Sequence, residues 1–202
     1  MAIAPWSLFT VTAPAAEPVS RSEAKTHLRV DTSDDDTYID TLITVARRRV
    51  EADSLHALMS QTLELRLAGF PLGNAVELPS PPLQSVTSVK YTDSDEVTTT
   101  VATTVYSTDV YSTPGRVVLK YGQSWPSFVA SPSNPVTIRY VAGWTSAGAV
   151  PADLRQAVLL LIAQLYEQRE PVLTGNAGAA AVVLPLAYDS LIAEWRNRAR
   201  RW

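Results

Sequence analysis

The sequence predicts an α+β fold in which two helical pairs enclose an inserted antiparallel β block. Three observations predict it. Apolar residues recur at helical spacing through Ile39, Leu42, Ile43, Ala46 and Val50. After Asp53 the period drops to two, with Leu63, Leu65 and Leu67 alternating with Thr62, Glu64 and Arg66. Helical spacing returns in Leu154, Val158, Leu161, Ile162 and Leu165. The expected divisions are an extended N-terminal arm over 1–19, a helical pair over 20–58, a β-rich block over 59–149, and a central helix, flexible loop and C-terminal helix over 150–202.

The arm is rich in Ala and Pro, with Trp6, Leu8 and Phe9 as apolar anchors. Ser20-Arg21-Ser22-Glu23 is a capping box, in which serine and glutamate satisfy each other's free amides, so a short helix should run from Arg21 to about Leu28. Asp34, Asp35 and Asp36 open the second helix at the positive end of its dipole, and Arg47, Arg48 and Arg49 sit late in it.

In the β block, Val76 to Leu78 reads as a short strand, and Val86, Val89 and Tyr91 lie in a second β-rich run. Thr98 to Tyr111 is dominated by Thr, Val and Tyr, Thr113-Pro114-Gly115 is a turn before Val117 to Tyr121, and Val136 to Val141 is the last strand. Pro151 suits the first position of the central helix. From Ala157 to Tyr166 that helix is apolar all round, broken by Gln164, so it is buried on more than one side. The run is far short of the roughly 18 to 20 residues that span a bilayer, and no membrane association is expected. Its surplus apolar surface makes Leu159, Leu160 and Tyr166 candidates for contact with adjacent copies. Pro171 to Val183 reads as a flexible loop, and Leu191, Ile192 and Trp195 form the apolar face of a terminal helix with an arginine-rich end.

The 202 residues carry a net charge of −3 and no cysteine, which excludes disulfides, thiol nucleophiles and cysteine metal sites and gives no signature of a duplex-coating protein. The N-terminus lacks the basic start and long apolar core of a secretory signal. His27 and His56 are the only histidines, and neither sits in a metal-ligand frame. The acidic run lacks the alternating ligands of a calcium loop and is read as helix-terminal charge. No phosphate-cradling glycine motif is present, and Gly122-Gln123-Ser124-Trp125 is not a nucleophile elbow. No enzyme activity and no cofactor are expected. Two basic clusters remain. Of Arg47, Arg48 and Arg49 at most part can face one partner. The tail Arg196, Arg198, Arg200 and Arg201, interleaved with Trp195 and Trp202, suits an acidic protein surface better than nucleic acid.

Several segments in order resemble the head-tail connector (adaptor) family of tailed bacteriophages and gene-transfer particles. They are Leu28-Arg29-Val30 before Asp34 to Ile39, Ala46 to Glu51, Pro82 to Val86 with Val89-Lys90-Tyr91, Tyr140 to Gly143, and Val150-Pro151 with Leu154 to Ala157 and Leu165 to Glu170. The resemblance covers the chain from about Ser20 onward. It implies a helical-bundle connector core and a structural protein of the particle neck, made in the host bacterial cytoplasm. Such a protein forms a ring, usually twelve-fold, under the portal, offers a docking surface to the next neck, stopper or tail protein, and lets DNA pass without sequence-specific binding. By the same resemblance Trp195, Arg196, Arg198, Arg200, Arg201 and Trp202 would meet the portal, and Leu159, Leu160, Tyr166, Arg47 and Arg48 would serve contacts between subunits. Two other readings rank below. One is a β-rich glycan- or peptide-binding module using Tyr91, Tyr106, Tyr111, Tyr121 and Tyr140. The other, last, is a hydrolase using His56 with Asp53 and Glu51.

Overall fold

The computed structural model describes residues 6–168 and 186–199. The chain divides into two compact units, a β unit of Met1–Ala15 with Ser60–Trp144 and a helical unit of Ala16–Met59 with Thr145–Trp202.

The helical unit holds α1 (Arg21–Leu28), α2 (Asp36–Ser54), α3 (Ala152–Glu167) and α4 (Leu186–Ala199). The capping box starts α1 as expected: Ser20 Oγ accepts from the Glu23 amide, and Glu23 accepts from the Ser20 amide at 2.8 Å. Arg29 and Leu55, both left-handed, end α1 and α2. Pro151 stands one position earlier than expected, at the N-cap of α3, with Asp153 in the first turn. The core interleaves Ile39, Ile43, Ala46 and Val50 of α2 with Leu154, Val158 and Ile162 of α3 and Tyr188 and Ile192 of α4, all nearly or fully buried. Each buried isoleucine, leucine or valine of this set contributes about 1.5–3 kcal/mol. The α3 stripe holds Leu154, Ala157, Val158, Leu161 and Ile162 inside and leaves Leu159, Leu160 and Tyr166 half-buried.

In the β unit, β1 (Trp6–Thr12), β2 (Gln61–Leu67), β4 (Leu83–Thr92), β5 (Thr98–Thr100) and β8 (Val136–Ala142) form one sheet in the order β1-β2-β8-β4-β5. A second sheet has the order β3-β7-β6, from β3 (Ala75–Glu77), β6 (Tyr106–Asp109) and β7 (Arg116–Leu119). All pairs are antiparallel. Register sets Leu65, Ile138 and Val89 side by side on the inner face of the large sheet. Tyr140 is fully buried beside them and donates to the Pro79 carbonyl at 2.8 Å, and its burial pushes the phenol above its ordinary range.

One further element differs from the expectation. Trp6–Thr12, expected as part of an arm, is an edge strand on β2. The run Thr98 to Tyr111 is two strands, β5 in the large sheet and β6 in the small one, with buried Val101 between them donating its amide to Val89. The loop expected over Pro171 to Val183 lies outside the described residues.

Candidate functional site

The sequence's charged and histidine candidates lie in the helical unit, and their partners define what they can do. Arg47 is 5% exposed. Its guanidinium reaches Glu17 and Glu51, each at 2.7 Å, so its charge is neutralised within the unit. Burial pushes the Glu51 carboxyl above the usual range, opposed by Arg47 and by the amide of Leu58, which donates at 2.9 Å. Arg48 is exposed, and Arg49 pairs with Asp53 at 2.7 Å. Consecutive arginines on one helix thus divide into one buried and two outward-facing.

His56 is 3% exposed, and its Nδ1 lies 2.8 Å from the Ser54 carbonyl. The ring packs edge-on against Trp195 at 5.4 Å, and burial lowers its basicity. Asp53 takes the Tyr188 hydroxyl at 2.8 Å, and Glu51 takes Arg47 and Leu58. Each of the three groups is bonded to a structural partner among the described residues. Among the described residues no cluster of His, Asp and Glu could hold a metal ion. The acidic run also serves structure: Asp36 pairs with Lys25 at 2.7 Å, and Asp35 accepts from the Tyr166 hydroxyl.

Half of the portal candidates are described. Trp195 lies against His56, Arg196 donates to the Asp53 carbonyl at 2.8 Å, and Arg198 pairs with Glu194 while lying 4.8 Å over the Trp195 ring. Arg200, Arg201 and Trp202 fall outside the described residues. The subunit candidates Leu159, Leu160 and Tyr166 are half-buried on α3, Tyr166 tilted against Tyr38 at 6.1 Å. Of the five tyrosines of the glycan reading, Tyr106 and Tyr140 are core residues, and Tyr91 packs with Phe70 and Phe128. Tyr111 and Tyr121 are fully exposed.

One arrangement has no forerunner among the sequence candidates. On the outer face of the large sheet, Glu64 is 5% exposed and holds Arg66 at 2.8 Å through one oxygen and Arg139 at 2.7 Å through the other. Burial works to raise this carboxyl, and the guanidiniums, Arg139 foremost, outweigh it and hold it below the usual range. Alternation placed Glu64 and Arg66 on one face, but Arg139 is 75 positions further on.

The sequence model of a family described as "Phage gp6-like head-tail connector protein" matches residues 22–111. A chain from the neck of an empty GTA particle, solved with six-fold symmetry, is 30% identical, with 94% of this chain and 95% of that one covered and a TM-score of 0.73. The chain belongs to the phage head-tail connector family. A chain from the virion of a native gene transfer agent particle is similar to this connector at 29% identity, with 94% of each chain covered and a TM-score of 0.73. A third, from the neck of a native particle with twelve-fold symmetry, has 30% identity, 94% coverage of each chain and a TM-score of 0.67. No curated protein sequence matches. No helix of the connector's described residues is long and apolar enough to cross a membrane.

Proposed function

We propose that this connector forms a closed twelve-fold ring beneath the portal in the neck of a phage or phage-like particle and joins the DNA-filled head to the tail. Its role is mechanical and not catalytic, and DNA passes through the ring without being read. The observation that carries this reading is its likeness, at 30% identity over 94% of both chains, to a component of a twelve-fold neck.

The residues support it. A ring requires a heterologous contact that closes. The half-buried Leu159, Leu160 and Tyr166 of α3 and the exposed Arg48 of α2 offer apolar and cationic surface for it. The basic end of α4, with Arg196, Arg198 and the following Arg200, Arg201 and Trp202, is the contact to the portal, and the next neck, stopper or tail protein meets the other side of the ring.

Electron microscopy of particles assembled with the tagged protein should place it as a ring at the head-tail junction. A protein that stays outside the particle overturns the reading. Leu160→Asp should abolish ring formation in native mass spectrometry. Because that variant can also disturb folding, Leu160→Ser with unchanged circular dichroism is the control, and a full ring from both removes α3 from the interface.

A further inference from the structure

The outer face of the large sheet carries a surplus of positive charge. Register sets Arg66, Thr137 and Lys90 in one row and Phe9, Glu64 and Arg139 in the next. These two rows therefore carry three cations, Arg66, Lys90 and Arg139, against the single carboxylate of Glu64. Glu64 already uses both oxygens, yet the Arg66 and Arg139 side chains remain 49% and 45% exposed. Lys90 is exposed and has no acidic partner among the described residues. Each guanidinium has five donors, so most stay available. Apolar surface adjoins them: Phe9 is 49% exposed, with Arg66 lying 5.1 Å over its ring.

The β4–β5 turn has the opposite character. Asp93 Oδ1 accepts from the amides of Asp95 at 3.0 Å and Val97 at 2.9 Å, which closes the turn on itself. Glu96 takes a left-handed conformation with φ of 63°. Asp95 and Glu96 are exposed, and neither has a cationic partner among the described residues. Val97 beside them is 56% exposed. The turn thus presents two unspent carboxylates next to a bare isopropyl group.

We propose that the Asp95-Glu96-Val97 turn of one copy docks on the Arg66-Arg139-Lys90 face of the next. This deepens the ring reading and rests on it. Charge and apolarity match on both sides, carboxylates to the cations and Val97 to the Phe9 ring. The pairing is head-to-tail by construction, since face against face or turn against turn would oppose like charges. Within one copy the turn forms no ion pair with its own face among the described residues, which leaves both free for a neighbour.

Exposed residues without partners allow a test that leaves folding alone. Ring assembly of the full-length protein is followed by native mass spectrometry and light scattering over protein and salt concentration. Asp95→Lys with Glu96→Lys should raise the concentration for half-assembly by about tenfold. Lys90→Glu should raise it by a smaller factor, added salt should weaken the wild-type ring, and Lys90→Glu combined with Asp95→Lys should recover part of the loss. Rings that tolerate the turn variant unchanged, or a combined variant worse than either single change, overturn the docking while the ring reading stands. A protein that stays monomeric at every concentration and salt overturns both. If the turn variant assembles normally and Lys90→Glu instead weakens binding to a short DNA duplex, the face takes nucleic-acid phosphates and the docking is wrong.

Discussion

The helical unit and the β unit solve the same stability problem with different materials. In the helical unit, polar side chains tie distant segments together from inside: Arg47 to Glu17 and Glu51, Tyr188 to Asp53, and His56 against Trp195. In the β unit the ties are mainly backbone ladders and apolar side chains, joined by the buried Tyr140–Pro79 bond, the Glu64 clamp on the outer face of the large sheet and the Arg116–Asp109 pair of the small one. A ladder bonds backbone groups with weak sequence demands, whereas a buried ion pair fails when one partner is lost. The helical unit should therefore be sensitive to single polar changes, and the β unit to steric ones.

The largest effect should come from Arg47→Ala, which removes the buried cation that Glu17 and Glu51 both bond. A loss of about 3–5 kcal/mol is expected. In hydrogen exchange, α2 should lose protection while β2 and β8 keep theirs. Equal loss in both units would erase the contrast.

Next is Gly115→Ala. A Cβ there would lie 2.4 Å from Leu83 Cβ, and the Gly115 carbonyl accepts from the Leu78 amide at 2.9 Å, which limits how far the strand can shift. About 1–3 kcal/mol of overpacking strain is expected. The lost protection should lie in β4 and β7. A neutral result would show that the small sheet yields more readily than its packing indicates.

The smallest effect is a pH dependence. Burial holds the His56 pKa below its ordinary 6.5, so the fold favours the neutral ring. Its contribution is complete above the unfolded value and is lost as pH falls through the folded one. The slope cannot exceed about 1.4 kcal/mol per pH unit below 6.5. Denaturation of the wild type and His56→Gln at several pH values isolates it, because glutamine does not titrate. Parallel curves would mean that His56 is not held neutral.

What could be read from the sequence follows how local each cause is. The Ser20-Glu23 capping box closes within four residues, and the start of α1 was legible to the residue. Alternation around Leu65 and helical spacing around Val158 set the faces of β2 and α3. The burial of Arg47 was not legible, because Glu17 lies 30 positions earlier in a segment whose Ala and Pro content suggested an arm. Nor was the bond of Tyr188, whose hydroxyl finds Asp53 across 135 positions. Strand β1 escaped because an edge strand can be held by a neighbour's backbone without a clear apolar alternation of its own. The Glu64 clamp was half legible: Arg66 could be placed beside it, and Arg139 could not.

The hydrogen bond from the Ser60 amide to the Trp144 carbonyl, 2.9 Å long, closes the path of the β unit. That unit uses no residue beyond Trp144, whereas α2 must wait for α3, which begins at Ala152. On the ribosome the β unit is complete first, while α1 and α2 hold an unfinished apolar face. Chain order thus makes every residue of the β unit available before α3 and α4 have been made.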